Sequence, residues 1–332
     1  MSEPEADFFR GQKVLLTGAG GFVGAELVRE LLRRGAEVHA VVRRGSKLRR
    51  LEEILERLSI HEADVTDREA LRRIFDSIHP IYVFHAAVER ASDSTEARRS
   101  TLRTNVEGTL NLLEAAVFAG SVRGLVHLGG SLEYGVKSEP MKESDCLEPS
   151  TFYGATKAAS TLVAQQFARE HALPLVLLRL FSVYGYGEAA SRLIPTAIIA
   201  ALEDRPLDLT APGYRRDLIF VSDAVDASLR AAQAARVAAG EILNVGTGRQ
   251  WSNEEVVELI QEIVGRPVRV RAGAYPARRS DASHWVADTR KAARLLGWEP
   301  RHTLREGLQK TVEWLRLRRD FYEPLENRRA KI

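Results

Sequence analysis

Short apolar runs alternate with amphipathic, helix-like stretches through the first half of the chain. The run at 14–16 ends in a group of glycines, residues 22–34 have helical periodicity, and Glu37–Val42 is apolar and β-branched. This order predicts a β-α-β unit. Further strand-like runs, separated by helical patterns, lie at 59–63, 81–85, 124–128 and 173–180. The repeated alternation predicts an α/β fold with a doubly wound parallel sheet, covered by helices on both faces.

The pattern changes near residue 185, where prolines interrupt shorter elements. We therefore predict a main domain over 1–184 and a smaller C-terminal α/β lobe over 185–332, with some exchange of chain between the two.

Three helices of the second lobe have recognisable starts. We expect helices at 222–236 and 253–264, with Ser222 and Ser252 as their N-caps, and a last helix from about Thr303. Glutamates three residues after Ser252 and Thr303 complete the pattern of a capping box.

The loop after the first strand contains glycines at three-residue intervals, Gly18, Gly21 and Gly24. Glycine permits a tight turn and lets backbone amides approach a pyrophosphate, while the following helix N-terminus carries partial positive charge. An ordinary turn at a helix entry is the alternative. Because strand, loop, helix and second strand occur in the order of a dinucleotide-binding unit, we predict such a site, with Phe22 and Val23 among its residues.

The end of the second strand bears on the choice of dinucleotide. An NAD-binding unit normally has an acidic residue there for the ribose hydroxyls, whereas this chain has Arg43 and Arg44. Guanidinium groups pair with phosphate, so we expect NADP, with NAD possible and a solvated basic loop as the alternative. Asp64, after the third strand, is expected either to accept a bond from the adenine amine or to cap the next helix.

Tyr153 and Lys157 are four residues apart in a helical segment and so share one helix face. An unperturbed tyrosine titrates at ~10. We expect the nearby ammonium to lower the pKa of Tyr153 and make it a general acid or base, with Lys157 also holding a cofactor ribose. The alternative is a pair on the helix surface.

Taken with the glycine loop, these residues make the chain resemble the extended short-chain dehydrogenase/reductase family, in particular its nucleotide-sugar epimerases, dehydratases and ketoreductases. The resemblance covers nearly the whole chain and implies a Rossmann domain. The cofactor residues that it implies, besides the glycine loop, Tyr153 and Lys157, are Asp64, Val65, Ala86, Ala87 and Asn105. Its implied substrate residues are Ser131, Glu133, Ser182, Arg216 and Arg278, the two arginines binding a diphosphate.

The chain departs from this family at two places. The family serine or threonine that binds the reacting sugar oxygen lies five residues before the glycine of a Tyr-Gly pair, and that position is Gly130. Either Ser131, one place later, replaces it, or the site lacks this donor. Glu133 is likewise one place later than the glutamate of family dehydratases, which disfavours sugar dehydration. The second departure is Ser182, where many relatives have asparagine.

Three functions remain open. The favoured one is reduction of a 4-keto-6-deoxy nucleotide sugar at C4 by NADPH, with Tyr153 as the proton donor. An NAD-dependent 4-epimerase is the alternative. A dinucleotide-binding sensor without catalysis is the third, supported by Gly130 and opposed by the Tyr153 and Lys157 pair.

Composition limits the setting. Hydrophobic residues make up 45% of the 332 residues, and 48 Lys and Arg are balanced by 45 Asp and Glu spread along the chain, so we expect neither a nucleic-acid nor a membrane partner. The single cysteine, Cys146, excludes an intrachain disulfide, and no Cys/His spacing indicates a metal. The first residues lack signal-peptide features, so we expect a cytoplasmic protein. The resemblance implies a homodimer formed through helices at about 94–120 and 153–171.

Overall fold

The large domain is built on one seven-stranded parallel sheet. The computed structural model describes residues 8–90, 94–276, 281–318 and 321–322. The sheet has the strand order β3-β2-β1-β4-β5-β6-β11. Its strands are β1 (Lys13–Thr17), β2 (Glu37–Val42), β3 (Ser59–Glu62), β4 (Tyr82–His85), β5 (Gly124–Gly130), β6 (Leu175–Leu180) and β11 (Ile242–Val245). The order reverses between β1 and β4, and in such sheets the crevice at the carboxyl ends of these two strands is where ligands bind.

Helices cover both faces of this sheet. The helices of the structure are α1 (Phe22–Arg33), α2 (Arg68–Ile78), α3 (Thr95–Leu102), α4 (Gly108–Ala119), α5 (Phe152–Glu170), α6 (Leu193–Glu203), α7 (Val221–Gln233), α8 (Asn253–Val264), α9 (Arg290–Leu296) and α10 (Leu304–Leu317). Successive side chains of β1 point to opposite faces: Val14 and Leu16 pack with α1 and α7, while Leu15 packs with α2, α4 and α5. Burial on both faces explains why inner strands such as β1 and β5 are largely apolar runs, whereas the edge strand β3 is mostly exposed.

A second, smaller core lies in the C-terminal half. It is formed by α6, α8 and α10 together with short strands, and Tyr184, Phe220 and Leu308 are buried in it. The short strands are β7 (Ser182–Tyr184), β8 (Leu207–Thr210), β9 (Arg215–Arg216), β10 (Leu218–Phe220), β12 (Trp251–Ser252) and β13 (Val270–Tyr275). They form three two-stranded sheets, β10 with β7, β12 with β9 and β13 with β8. Helix α7 and strand β11 lie in the C-terminal half of the sequence but belong to the large core. The chain therefore returns from the smaller core to the large domain.

The expected fold class is confirmed, since the predicted strands all belong to one parallel Rossmann-type sheet. The capping boxes at Ser252 and Thr303 are present, each with its glutamate. The N-cap prediction at Ser222 is wrong. Helix α7 begins one residue earlier, with Phe220 as the N-cap, and in the described chain no side chain caps it, because it follows β10 directly. Among the residues described, no helix combines the length and apolar character needed to cross a bilayer.

Candidate active site

The glycine loop between β1 and α1 is packed backbone against backbone. Gly18 has a φ of +73°, and a Cβ placed on it would lie 2.4 Å from the carbonyl carbon of Ala86. A Cβ on Gly24 would lie 2.2 Å from the Gly18 carbonyl oxygen. Gly21 is the N-cap of α1, and among the described residues no side chain bonds the amides of that first turn. Those amides and the helix dipole therefore suit a pyrophosphate, so the residues present fit a dinucleotide.

The predicted neighbours of the loop lie beside it. The Ala86 amide donates to the Thr17 carbonyl at 3.1 Å, and the Ala87 amide donates to Thr17 Oγ1 at 3.3 Å. Phe22 and Val23, in the first turn of α1, pack on the second and the large core respectively. Val65 is buried against α4, where a Cβ on Gly108 would lie 2.6 Å from Val65 Cγ2. The loop is thus held against the end of β4.

Asn105 lies in a π-helical turn, Arg103–Glu107, between α3 and α4. Its side-chain amide donates to the Glu89 carbonyl at 3.0 Å and to Thr156 Oγ1 at 2.9 Å, and its oxygen accepts from the Glu89 amide at 2.8 Å. Asn105 therefore ties the segment after β4 to the helix of Tyr153. Irregular π turns of this kind are frequent at functional sites.

The arginines at the end of β2 are exposed. Arg43 lies 3.8 Å from the Glu89 carboxylate, with its side chain 58% accessible. Asp64 forms a turn with Thr66, accepting from its amide at 2.9 Å and its hydroxyl at 2.8 Å. Asp67, and not Asp64, caps α2 by accepting from the Ala70 amide. The capping alternative for Asp64 is therefore wrong.

Helix α5 presents Tyr153 and Lys157 next to the end of β5. Thr151 caps α5 by accepting from the Gly154 amide, and a Cβ on Gly154 would lie 2.5 Å from the Leu132 carbonyl oxygen. The single helical turn Ser131–Glu133 thus packs directly against the start of α5. Lys157 is buried, and its Nζ donates to the Leu128 carbonyl at 2.5 Å. Burial lowers the pKa of Lys157 to about 8.

The pKa of the Tyr153 phenol differs from expectation. Burial raises its pKa, and the nearby cations that oppose this rise are Arg90 and Arg192, while the carboxylate of Glu133 adds to it. The expectation that Lys157 lowers this pKa is not met, because desolvation outweighs the attraction of the cations. The Arg90 guanidinium lies 5.4 Å from the centre of the Tyr153 ring. The phenol is therefore the protonated form at neutral pH.

Neither Arg90 nor Arg192 was predicted from the sequence to lie near Tyr153. Arg90 follows the family's His-Ala-Ala segment by three residues, which is a usable signal. Arg192 is 39 residues beyond Tyr153, at the start of α6, and comes near it only through the fold.

Ser131 is buried, and its Oγ accepts a hydrogen bond from Nε1 of Trp285 at 3.0 Å. Trp285 belongs to the C-terminal half and was not expected at the site. Gly130, one residue before, has extended backbone with φ −166° and ψ 156°. A Cβ on Gly130 would have the Leu180 carbonyl oxygen at 3.7 Å as its nearest contact, so the site has room for a side chain.

Glu133 is fully buried and contacts protein on both carboxylate oxygens. Oε2 accepts from Arg179 Nε at 2.8 Å, and Oε1 accepts from the Gly130 amide at 2.8 Å and from Thr161 Oγ1 at 3.0 Å. The ion pair with Arg179 leaves 0% and 2% of the two side chains accessible. We therefore correct the assignment of Glu133 to substrate binding: it anchors the turn that carries Ser131.

Of the substrate arginines, Arg216 is described and Arg278 lies outside the described residues. Arg216 on β9 forms an ion pair with Asp281 at 3.2 Å, and its guanidinium lies 4.9 Å from the centre of the Trp285 ring. Next to it, the buried Asp217 carboxylate accepts from the amides of Thr247, Gly248 and Ala287, at 2.8, 3.0 and 3.1 Å. Ser182 lies on β7, where its amide donates to the Asp217 carbonyl at 3.0 Å.

A chain of buried polar groups lies beneath the site and was missed from the sequence. Thr17 Oγ1 is 2.7 Å from His85 Nδ1, and His85 Nε2 is 2.9 Å from Thr109 Oγ1. Ser160 continues the chain, at 2.9 Å from Thr109 Oγ1 and 3.3 Å from His127 Nε2. Burial lowers the pKa of His85 to about 3 and also lowers that of His127, the charge of Lys157 acting in the same direction on both. Both imidazoles are neutral, so these contacts bind β1, β4, β5, α4 and α5 together without adding charge.

Comparisons with known proteins agree with this geometry. The family model described as NAD dependent epimerase/dehydratase family matches residues 14–246. The chain is 30% identical to dTDP-glucose 4,6-dehydratase of Salmonella typhimurium, over 91% of this chain and 92% of the relative. It is 32% identical to UDP-glucose 4-epimerase of Mycolicibacterium smegmatis, over 92% of this chain and 98% of the relative. Its structure is similar to that of MoeE5 in complex with UDP-glucuronic acid and NAD, with a TM-score of 0.81, 35% identity and coverage of 92% and 99%.

Proposed function

Because this chain belongs to the NAD dependent epimerase/dehydratase family, within the extended short-chain dehydrogenases/reductases, we propose that it reduces a nucleotide-linked 4-keto-6-deoxy sugar at C4 with NADPH. The family consists of enzymes, and the chain has their Rossmann sheet and cofactor loop. The sugar, the direction of reaction and the preference for NADP are the proposed part.

Tyr153 is the proposed proton donor. Since burial raises its pKa, the phenol holds its proton at neutral pH and is ready to deliver it to the sugar C4 oxygen. The ammonium of Lys157, four residues along the same helix face, would hold a cofactor ribose. The bound nicotinamide supplies the hydride; the residues of the chain supply the proton, the orientation and the exclusion of water.

The burial of Glu133 is the observation that favours hydride transfer at C4 over sugar dehydration. A sugar dehydratase needs a carboxyl group that can protonate the leaving hydroxyl, and this glutamate is enclosed by Arg179, Thr161 and the Gly130 amide. Both of its carboxylate oxygens are occupied by these protein contacts and none of its side chain is accessible, so it does not face a leaving hydroxyl. Hydride transfer at C4 without loss of water is therefore the reaction that these side chains support best.

The proposed NADP preference depends on Arg43 and Arg44. Both are exposed at the carboxyl end of β2, and Arg43 is only loosely paired with Glu89 at 3.8 Å. Such guanidinium groups can turn to a 2′-phosphate without breaking a buried ion pair. On the substrate side, we propose that Arg216 and Arg278 bind the diphosphate, that Ser182 lines the sugar-proximal side, and that Ser131 contacts the C4 oxygen.

A 4-epimerase with bound NAD is the second candidate, and the relatives favour it. The M. smegmatis relative is a UDP-glucose 4-epimerase, and the MoeE5 structure contains NAD. An epimerase needs the same phenol and lysine but returns the hydride to the other face of the sugar, so it consumes no reductant.

Cofactor turnover separates these functions. Purified protein is incubated with NADPH or NADH and with dTDP-, UDP-, GDP- and CDP-linked 4-keto-6-deoxy sugars, and separately with UDP-glucose without added cofactor. Oxidation of NADPH in the presence of a keto sugar supports the reductase. Turnover of UDP-glucose on NAD that copurifies with the protein supports the epimerase instead. No turnover across the panel, with unchanged cofactor binding in Tyr153→Phe, would favour a sensor.

Two variants test the residues. Tyr153→Phe removes the proton donor, so we expect at least ~10³-fold lower kcat with unchanged cofactor affinity. Arg43→Ala combined with Arg44→Ala should shift the ratio of kcat/KM from NADPH towards NADH. Wild-type turnover in the first variant would overturn the mechanism, and an unchanged ratio in the second would remove the argument for NADP.

We also propose a homodimer and a cytoplasmic location. The two segments expected to form the dimer correspond to α3, α4 and α5, which carry exposed large apolar side chains, among them Leu102, Phe118 and Leu162. The single cysteine, Cys146, is a free, exposed thiol, which suits a reducing compartment.

A further inference from the structure

We infer that Trp285 is a positioning residue that orients the hydroxyl of Ser131 and links it to the diphosphate-binding Arg216. This inference rests on the proposed function, because it assigns a role to Ser131 in C4 chemistry. It concerns a tryptophan that lies 154 residues from Ser131 along the chain and on the other side of the site.

The first observation behind this inference is the direction of the hydrogen bond between Trp285 and Ser131. An indole N–H can only donate, so in the 3.0 Å contact Ser131 Oγ is the acceptor. The hydroxyl proton of Ser131 must then point elsewhere. In the described ranges no acceptor for that proton is found, which leaves it available to an oxygen of a bound ligand. Trp285 thus makes Ser131 a donor of fixed orientation.

The surroundings of Trp285 show that its indole is held in place. Its side chain is 1% exposed, and its backbone amide donates to Gln250 Oε1 at 2.8 Å. The neighbouring Val286 carbonyl accepts from the Met141 amide at 2.9 Å. The indole is therefore a rigid part of the site and not a mobile side chain.

One face of the indole contacts Arg216. The guanidinium lies 4.9 Å from the ring centre, a cation–π distance, and is further fixed by Asp281 at 3.2 Å. The indole of Trp285 thus contacts both Arg216, which would bind the substrate diphosphate, and Ser131, which would bind a sugar oxygen. It therefore fixes the distance between the two binding groups. That geometry is expected to select sugars whose C4 oxygen lies at one fixed distance from the diphosphate.

The absence of a family hydroxyl at Gly130 makes this arrangement necessary. A side chain at 130 would fit, since the nearest atom to a Cβ is 3.7 Å away. The serine lies instead in the helical turn Ser131–Glu133 after β5, and its hydroxyl contacts a partner from another element. Trp285 is that partner.

The test is a double-mutant cycle with a matched control. Trp285→Phe keeps a ring over Arg216 and removes the N–H, so we expect kcat about tenfold lower, the effect of one ordinary hydrogen bond, with KM within about twofold. Ser131→Ala should lower kcat by about 10²-fold. The double variant should be no worse than Ser131→Ala alone, because Trp285 acts through Ser131. NADPH oxidation with the nucleotide-linked 4-keto-6-deoxy sugar that turns over fastest is the assay.

Trp298→Phe is the control. Trp298 is also 1% exposed, and its Nε1 has no hydrogen-bond partner in the described part of the chain, so this variant loses similar volume but no such bond. Its kcat should be that of the wild type. Additive losses in the cycle, or equal losses in Trp285→Phe and Trp298→Phe, would overturn the inference in favour of a packing role.

A second measurement needs no change at Trp285. In Ser131→Ala the indole N–H signal of Trp285 should shift and exchange faster with solvent in ¹⁵N NMR, while that of Trp298 should not. An unchanged Trp285 signal would overturn the contact itself. Tyr153→Phe separates the two proposals: if it retains full turnover the proposed function fails, whereas an inactive Tyr153→Phe with a fully active Trp285→Phe defeats this inference alone.

Discussion

Lys157 is the buried cation of the proposed mechanism, and its protonation sets a pH limit on the reaction. Burial lowers its pKa to about 8, so it is charged below that pH and loses its charge as the pH rises through it. In the proposed mechanism this ammonium donates to the cofactor ribose, and the neutral amine would do so more weakly. We therefore predict that kcat declines above about pH 8, as measured by a pH profile at saturating substrate.

The matched variant for this pH limit is Lys157→Arg, which stays charged throughout the range. Its profile should lack the decline above pH 8, whatever its absolute rate. A wild-type profile that is flat to pH 9.5 would contradict the assignment of this limit to Lys157.

Glu188 lies just after β7, and the burial of its carboxyl group lowers the free energy of unfolding by an amount that depends on pH. Burial raises its pKa from 4.5 to about 7, with Arg192 opposing, and its Oε2 has no partner among the described atoms. Since the folded pKa exceeds the unfolded one, the free energy of unfolding falls as the pH rises from about 4.5 to about 7. At about 1.4 kcal/mol per pKa unit, the full cost above pH 7 is at most about 3.5 kcal/mol.

Glu188→Gln should remove that cost. We predict a higher Tm than the wild type at pH 8 and little difference at pH 5, measured by thermal unfolding. The control is Glu203→Gln on α6, an exposed glutamate whose replacement should change neither value. A Tm gain that is the same at both pH values would show that the charge of Glu188 is not its cause.

Gly130→Ser restores the hydroxyl that the family places at this position. Because the backbone is extended and a Cβ is 3.7 Å from its nearest neighbour, we predict a folded protein with an unchanged Tm. In a Ser131→Ala background the new hydroxyl should return part of the lost kcat. A fall of several degrees in Tm would mean that Gly130 is present for packing.

The site could be predicted from the sequence only where spacing along the chain fixes it. Four residues on a helix place Tyr153 and Lys157 together, and three-residue intervals identify the glycine loop. The pKa of Tyr153 depends on burial and on Arg192, which the fold brings from far along the chain. The role of Trp285 and the burial of Glu133 likewise depend on contacts between distant elements, which no local pattern reveals.

At the scale of elements, two helices of the second lobe start in different ways, which gives a matched pair of variants. Ser252 caps α8, accepting from the Glu255 amide, and Glu255 bonds back to the Ser252 amide. Ser222 lies in the first turn of α7 and caps nothing in the described structure. We predict that Ser252→Ala lowers the free energy of unfolding by about 1 kcal/mol, and that Ser222→Ala changes it by less than about 0.5 kcal/mol, by urea denaturation. Equal losses would contradict the capping assignment.

The elements differ in how well the sequence predicts them. Six of the seven strands of the large sheet were predicted, because the inner ones are buried on both faces and are continuous apolar runs; β11, only four residues long, was missed. The strands β9 and β12 have two residues each, too few for any period to develop. The π turn at Arg103–Glu107 escaped because its residues have the same helical pattern as their neighbours, and only the Asn105 contacts mark it.

At the scale of the whole molecule, the large and the smaller core are joined at the proposed substrate residues. Asp217 bonds segments from 247–248 and 287, and Trp285 reaches from the second lobe to Ser131. The proposed cofactor residues belong to the large domain, whereas Arg216 belongs to the smaller lobe. Substrate binding across these contacts is therefore expected to depend on how the lobes are held, and cofactor binding is not.

The proposed homodimer concerns the outer faces of α3, α4 and α5, which pack against one another in the order α3-α5-α4. Leu102 on α3 is 47% exposed and Leu162 on α5 is 52% exposed. Burying a leucine side chain in an interface contributes roughly 1.5–3 kcal/mol, whereas burying an unpaired carboxylate costs several kcal/mol. We predict that Leu102→Glu combined with Leu162→Glu gives a monomer by light scattering after gel filtration, with an unchanged Tm for the monomer fold.

Val237→Glu is the control for this prediction, because Val237 is 82% exposed and lies in the loop after α7, outside α3, α4 and α5. It should leave the dimer intact, since its carboxylate stays in water. A wild-type monomer at all concentrations, or dissociation caused by Val237→Glu as much as by the leucine variants, would remove α3 and α5 as the interface. Tyr153 and Lys157 lie on the active-site side of α5, and the proposed dimer uses the other face. We therefore expect the monomeric variant to retain its KM for NADPH. We also expect α5 to be less rigid in that variant, which faster amide exchange along 158–168 would show.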